Sequence, residues 1–257
     1  LFIVPGSDEK YPDTDFQPPS RIVLLGSDYM GRDTLSRILF GARTTIGISF
    51  IATILAYLIG VTLGIAAAVG YRFEYRGFTI IELDTVLSRL NDALLSIPSI
   101  MLGLVMIAAL GSTIPLLIVL TGIIYAASVF RIARSLGQEV MVSDFVEAAR
   151  VRGEGLWWII TREILPNVAM PLATDFGLRF VWVILFISAL SFLGLGVQPP
   201  MSDWGSMVKE NLPGLIYGSV APLVPSLAIA TLTISVNMIV DDISAQTGGK
   251  LAKRMIS

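Results

Sequence analysis

Long apolar runs, separated by short polar segments, set the main constraint on how this chain folds. The runs cover residues 44–70, 80–110, 113–130, 168–196 and 219–243. About 20 apolar residues are enough for a helix to cross a bilayer, and a helix inside the bilayer satisfies its own backbone hydrogen bonds. With a mean hydropathy of +0.76 and only 15% charged residues, the sequence predicts an all-α polytopic membrane protein with five spans.

The residue types that the chain lacks exclude several kinds of chemistry. The 257 residues include no cysteine and no histidine, which rules out thiolate metal sites, disulfides and the commonest general base. Gly26 and Gly31 are spaced as in a phosphate-binding loop, but Arg32 and Asp33 follow where lysine and serine or threonine are required. We therefore expect no catalytic residue, no metal and no cofactor bound by this chain, and no nucleic acid partner, because it has no basic arm.

The polar segments predict how the chain is divided. Residues 1–43 are expected to form an outer loop that ends in a short amphipathic surface helix over residues 34–42. Residues 44–243 form the transmembrane domain, which includes a second outer loop at 197–218 with a short surface helix of its own. The basic residues 244–257 form an inner tail.

Charged residues inside the second apolar run need a polar environment. Glu82, Asp84, Arg89 and Asp92 occupy its first half, and Pro98 is predicted to kink its helix. A charge at the centre of a bilayer costs about 2.5–3.5 kcal/mol. We therefore expect these side chains to lie near an interface or to face a cavity lined by protein.

Two helical spacings predict contacts between or along helices. Gly60, Gly64 and Ala68 form a small-residue face for close packing, either within the chain or in a dimer. Asp175 and Arg179 are spaced i, i+4 and are predicted to form a structural ion pair. If Asp92 or Asp175 instead carried a coupled ion, the chain would be an ion-coupled secondary transporter, which remains an alternative.

The polar segment 139–167 predicts a helix, a glycine turn and a second short helix. Asp144 and Glu147 are spaced as a variant of the capping box. Gly153 permits a turn that a β-carbon would resist, and Pro166 is expected to end the second helix. Such a small helix with a glycine hinge can be laid into a groove on another protein.

Three blocks of the sequence resemble one family. Residues 147–149 (EAA), Gly153 and the Leu165–Pro166 pair resemble the EAA loop of ABC-importer membrane subunits. LLGSDYMGRDTLSRILFGAR, residues 24–43, resembles the segment before the second helix of these proteins, and LSFLGLGVQPPMSDWGSMV resembles their block after the fifth helix. In order and spacing the three blocks are similar to DppC/OppC-type permeases of the dipeptide, oligopeptide and nickel importers, which are binding-protein-dependent transport inner membrane components.

The resemblance implies an architecture and a set of partners. The implied fold is the type I ABC importer transmembrane domain in a bacterial inner membrane. Such a permease pairs with a second homologous permease, two ATPase subunits that hold ATP and magnesium, and an extracytoplasmic substrate-binding protein. The segment 139–167 would then be cytoplasmic, and the inner segments would hold ten Lys and Arg against six in the outer ones, as the positive-inside rule requires. Because the sequence starts at Leu1, we also expect a preceding helix and six spans in the complete protein.

The resemblance also implies candidate site residues and a cargo. We name residues 139–167 the coupling loop, and the residues expected to couple it to the ATPases are Asp144, Glu147, Ala148, Ala149, Gly153, Leu165 and Pro166. The residues expected to contact the binding protein are Gly31, Arg32, Asp33, Gln198 and Trp204. The expected function is that of a permease forming half of a peptide pathway. Nickel chelates, opines and oligosaccharides are the alternative cargoes.

Overall fold

The computed structural model describes residue 16 and residues 18–20, 24–70 and 80–256, without the side chains of residues 80–83 and 246–256. The predicted linker 71–79 and much of the first outer loop lie outside these residues. Within them, the structure is helical: α1 Thr34–Gly70, α2 Ile80–Ser96, α3 Ser99–Leu110, α4 Ile114–Met141, α5 Asp144–Val151, α6 Leu156–Trp158, α7 Leu165–Phe192, α8 Trp204–Asn211 and α9 Leu223–Ile256. A π-helical turn, Ile159–Ile164, joins α6 to α7, and a 3₁₀ helix, Leu212–Tyr217, follows α8.

The helices account for the predicted membrane spans. Four stretches within the described residues are long and apolar enough to cross a membrane: Thr34–Gly70, Ile114–Met141, Leu156–Phe192 and Leu223–Ala245. The pair formed by α2 and α3 counts as a fifth if it is one broken span. The prediction of an all-α polytopic membrane protein is confirmed.

Helix α1 corrects the prediction of a separate surface helix over residues 34–42. The side chain of Asp33 accepts a hydrogen bond from the backbone of Ser36 (2.9 Å) and so caps a helix that continues without a break for 37 residues. No proline interrupts this stretch, and its apolar residues continue directly into the span. The amphipathic start is therefore the first part of the membrane helix.

The second predicted span is broken rather than kinked. Helices α2 and α3 meet at an angle of 86°, and the break lies at Ile97 and Pro98. A residue before proline is driven away from helical geometry, and Pro98 starts the next helix by accepting a hydrogen bond from the backbone of Leu102 (3.1 Å). Proline therefore starts a new helix here.

Pro166 does not end its helix, contrary to the prediction. The backbone amide of Leu165 donates to the carbonyl of Ile160, which is the i→i−5 pattern of a π turn. This wider turn lies directly before Pro166, whose ring would clash with the preceding turn of a regular α-helix. The helix therefore continues through Pro166 to Phe192.

The described residues form two compact units. The first contains the described residues up to Ile51 together with Gly103–Ile118 and Phe180–Ile239. In it, α8 is a buried helix and not the predicted surface helix, because Trp204, Gly205 and Met207 are all buried. A β-carbon on Gly205 would lie 2.3 Å from the carbonyl oxygen of Ser188, so close packing requires glycine there.

The second unit contains the described parts of Ala52–Leu102, Val119–Arg179 and the residues from Val240 onward. Here the small-residue face of α1 packs on α4 of the same chain. A β-carbon on Gly60 would lie 2.6 Å from Cβ of Val129, and one on Gly64 would lie 2.7 Å from the carbonyl oxygen of Phe130. The sequence left open whether this face packs within the chain or in a dimer, and the structure shows packing within the chain.

Candidate functional site

The N-cap of helix α5 lies one residue earlier in the chain than the sequence predicted. Ser143 is the N-cap, and no side chain makes a capping hydrogen bond there. The capping box predicted from Asp144 and Glu147 is therefore wrong. Both acids instead lie in the first turn, where a negative charge favours the positive end of the helix dipole.

Gly153 ends α5 in a Schellman motif. Its φ is +84°, a left-handed conformation that glycine adopts without the strain of a side chain. The amide of Glu154 donates to the carbonyl of Ala149 (3.2 Å), and the amide of Gly153 donates to that of Arg150 (2.9 Å). The predicted glycine turn is confirmed, and it sets the direction in which the chain leaves the helix.

One face of α5 is buried in the core of the second unit. Val146 and Ala149 are both fully inaccessible. They join a cluster of side chains contributed by α1, α4 and the continuous helix from Leu156 to Phe192: Ile65, Val69, Ala133, Met141, Ile159, Ile164, Val168 and Leu172. The helix is therefore seated on three membrane helices at once.

The opposite face of the coupling loop is open. Asp144, Glu147 and Ala148 are exposed, and Glu147 forms an ion pair with Arg150 (3.1 Å). Two large apolar side chains share this exposure, with Val151 81% and Trp157 76% accessible. Such a mixture of acidic and apolar side chains, exposed on α5 and on α6 after it, is suited to docking against a protein.

The predicted coupling residues thus separate into two groups. Ala149 belongs to the buried face, whereas Glu147, Ala148 and Gly153 are exposed. Leu165 and Pro166 are also exposed, but they lie after the π turn and outside the α5 face. Sequence reasoning missed Val146, whose spacing of three residues from Ala149 is the signal that marks the inner face of a helix.

The five residues predicted to contact the binding protein lie in the first unit. Four of them are buried or half-buried there, and only Gln198 is exposed. Gly31 adopts a φ of +72° in a turn, Asp33 caps α1, and the indole nitrogen of Trp204 donates to the carbonyl of Ile38 (2.9 Å). Gln198 is exposed and folds back onto its own loop, donating to the carbonyl of Gly194 (3.1 Å). The contact with a binding protein stays a prediction, and Gln198 is the most accessible of the five.

Arg32 belongs to a buried ion network that sequence reasoning did not find. Nε of Arg32 and Nη1 of Arg37 both lie 2.7 Å from Oδ2 of Asp28, and Nη2 of Arg37 lies 2.9 Å from Glu210. Two acids therefore balance two arginines. The network fixes the loop before α1 against α8, so its evident role is structural.

Asp203 caps α8 with a complete capping box. Its carboxylate accepts from the amides of Ser206 (3.2 Å) and Gly205 (3.3 Å), while the Ser206 hydroxyl accepts from the amide of Asp203 (3.1 Å). Burial raises the pKa of this carboxyl, and the capping hydrogen bonds oppose the rise. Among the residues that the structure describes, no group of three or more acidic, histidine or cysteine side chains is arranged to hold a metal ion.

The fold and the coupling loop define a class: a multi-pass helical membrane protein that presents a rigidly seated helix outside its spans. The chain belongs to the family of binding-protein-dependent transport system inner membrane components, whose family model matches residues 60–245. It is therefore a permease component of an ABC importer.

Individual relatives agree with this assignment. A Brucella suis protein named as a peptide transport system permease is 36% identical over 88% of this chain and 73% of its own length. The glutathione transport system permease protein GsiD of Pectobacterium atrosepticum is 32% identical over 97% of this chain and 81% of its own length. A chain of the MetNI methionine ABC transporter has a TM-score of 0.63 at 16% identity, covering 81% of this chain and 95% of that one, which supports the fold.

Proposed function

We propose that this permease forms half of the pathway of an ATP-driven peptide importer in a bacterial inner membrane. The names of the relatives, which include peptide and glutathione permeases, support a peptide cargo. The remaining half of the pathway would come from a second homologous permease. Two ATPase subunits would hold ATP and magnesium, and an extracytoplasmic binding protein would deliver the cargo.

The coupling loop would face the cytoplasm and dock on an ATPase. The observation that carries this proposal is the two-sided placement of α5, with Val146 and Ala149 fully buried and Glu147 and Ala148 exposed. A helix packed this tightly cannot move alone, because protein interiors are close-packed and resist small displacements. A shift of the docked ATPase would therefore be passed to the ends of α1, α4 and the helix leading into α7.

ATP would drive transport by favouring one conformation of the spans. A ligand shifts an equilibrium only through different affinities for its two states. ATP binding closes the ATPase pair, and α5 would be the part of this chain that distinguishes the closed from the open pair. This chain would supply the conformational change, and the ATPases would supply the hydrolysis.

The cargo is tested with the complete complex: this chain, its partner permease, two ATPases and the binding protein. Short peptides are expected to raise the rate of ATP hydrolysis, and unrelated sugars are not. A complex that ignores peptides but responds to nickel chelates, opines or oligosaccharides would replace the proposed cargo with one of those alternatives. An ion-coupled mechanism through Asp175 is disfavoured, because its carboxylate is already engaged by Tyr57 and Arg179.

The coupling role is tested at Gly153. No atom of the described residues lies within 4 Å of a β-carbon added there, so a small replacement meets only backbone strain. Asparagine tolerates the left-handed conformation better than valine. ATP-driven uptake should therefore fall markedly in Gly153→Val and much less in the matched variant Gly153→Asn. Gly153→Trp should abolish uptake while the protein stays in the membrane, and normal uptake by that variant would refute the role.

A further inference from the structure

A polar cluster lies within the membrane helices of the second unit, apart from the residues of the coupling loop. The hydroxyl of Tyr57 on α1 donates to Oδ2 of Asp175 on α7. Nε of Arg179, one turn further along α7, donates to Oδ1 of the same carboxylate (3.2 Å). The ring of Tyr57 packs edge-on against Phe176 with its centroid 5.0 Å away, which fixes the position of the hydroxyl.

The depth of Arg179 in the membrane requires a polar surrounding. It precedes Phe192, the last residue of α7, by about 20 Å at 1.5 Å per residue, whereas the hydrocarbon core is about 30 Å thick. A guanidinium at this depth is costly in lipid and is expected to face protein or a water-filled path. Its side chain is 23% accessible, so it is not sealed inside the chain.

Arg179 has hydrogen-bonding capacity that its ion pair does not use. Among the described residues, its hydrogen bonds run from Nε to the two oxygens of Asp175. The two Nη groups are therefore available, and in a guanidinium they form a planar fork that matches a carboxylate. Asp175 engages Nε of the same guanidinium and is itself held by the hydroxyl of Tyr57, so the two residues together orient this fork.

A cavity lies in the same unit, at the bend between α2 and α3. It measures about 200 Å³ and is lined mainly by apolar side chains, with hydroxyls from Ser99, Tyr125 and Ser128. Tyr125 lines the cavity from α4 and belongs to the same unit as Arg179. The cavity is smaller than the roughly 300–1,000 Å³ of a complete small-molecule site, so it has room for only part of a cargo.

We propose that Arg179 binds the C-terminal carboxylate of the peptide during its passage, while the cavity beside Tyr125 accepts an adjoining part of the cargo. This inference rests on the proposed peptide function. Asp175 and Tyr57 are positioning residues, because Asp175 holds the guanidinium, Tyr57 holds Asp175, and neither contacts the cargo carboxylate. The Asp175–Arg179 ion pair on α7 therefore serves cargo binding as well as the stability of the fold.

The test compares uptake of a tripeptide with uptake of its C-terminal amide by the complete complex in proteoliposomes. The readout is the ratio of the two rates. Because the same binding protein serves every permease variant, its own preference cancels when ratios are compared between variants. Loss of a hydrogen-bonded contact to a charged group is expected to lower the acid-to-amide ratio of Arg179→Gln about tenfold relative to the unmodified complex.

Two further variants make the result decisive. Asp175→Asn/Arg179→Gln removes both charges, so no carboxylate is left unpaired in the membrane, and it should lose the same discrimination. Arg131→Gln makes the matched change at an exposed arginine of α4 and should keep the original ratio. If Arg179→Gln takes up neither peptide form, the acid-to-amide ratio of the double variant tests the role of Arg179 instead.

The outcomes separate this inference from the proposed function. Peptide uptake with an unchanged ratio in Arg179→Gln or in the double variant would overturn the role of Arg179 and leave the peptide function standing. Failure of the unmodified complex to take up either peptide form would overturn the proposed function itself.

Discussion

Arg134 of α4 forms a two-point ion pair with Asp84 of α2 along one edge of its guanidinium: Nε lies 2.5 Å from Oδ1 and Nη2 lies 2.7 Å from Oδ2. Such a two-point ion pair is stronger and more directional than a single contact. Asp84 is buried, whereas the side chain of Arg134 is 31% accessible. The pair therefore holds the amphipathic helix α2 against α4.

Breaking this pair on one side should destabilise the permease more than removing both charges. Arg134→Met leaves the Asp84 carboxylate buried without its partner, which should cost on the order of 2 kcal/mol, somewhat less than for a fully buried pair. Asp84→Asn/Arg134→Met should recover most of this loss. The unfolding midpoint of the purified protein in detergent measures both, and a double variant as unstable as the single one would contradict the argument.

The neighbouring alanines of α5 should respond differently to the same substitution. Ala149 is fully buried in the core cluster, so Ala149→Leu should overpack it and cost about 1–3 kcal/mol. Ala148 is exposed, so Ala148→Leu should leave the unfolding midpoint unchanged and lower peptide-stimulated ATP hydrolysis several-fold by altering the docking face. If Ala148→Leu hydrolyses ATP normally in the complete complex, the exposed face of α5 is not the docking surface.

The membrane helices could be predicted from the sequence because apolar length alone demands them. Their ends could not be predicted equally well. The run at 113–130 continues as α4 to Met141, past Arg131 and Arg134, because a helix does not have to stop where its apolar segment stops. Hydropathy detects the part inside the lipid, while packing decides how far the helix extends beyond it.

Prediction of the candidate site from the sequence has a similar limit. The glycine turn at Gly153 was predictable because its cause is local, namely the lack of a β-carbon. The burial of Ala149 and of Trp204 depends on distant helices, so local sequence does not reveal it. Pro166 misled the prediction because a π turn removes the clash that normally ends a helix there.

Asp203 should make the stability of the first unit depend on pH. Burial raises the pKa of its carboxyl above the ordinary value, so the folded state holds the proton more tightly than the unfolded state. Its contribution to stability is then largest below the ordinary pKa and falls as the pH rises from about 4 through the raised folded value.

Asp203→Asn provides the test of this dependence. Asparagine is an equally good N-cap and does not titrate, so the variant should gain stability relative to the original protein as the pH rises through this window. Unfolding midpoints of both proteins across that range measure the effect. Asp203→Ala should instead lie about 1 kcal/mol below Asp203→Asn at every pH, because neither residue titrates and alanine lacks the cap. Parallel pH profiles for the original protein and Asp203→Asn would show that the carboxyl is not perturbed.

Close packing of α1 on α4 should depend on glycine at one position and not at another. A β-carbon at Gly60 would lie 2.8 Å from the carbonyl oxygen of Ala126 and 2.6 Å from Cβ of Val129. One at Gly47 would have no atom within 4 Å in the part of the chain that the structure describes. Because a backbone carbonyl cannot rotate away like a side chain, Gly60→Ala should separate the helices and cost about 1–3 kcal/mol. Gly47→Ala, the same change on the same helix, should leave the unfolding midpoint unchanged or raise it slightly, since alanine favours helix. Equal midpoints for the two variants would mean that α1 and α4 do not pack through Gly60.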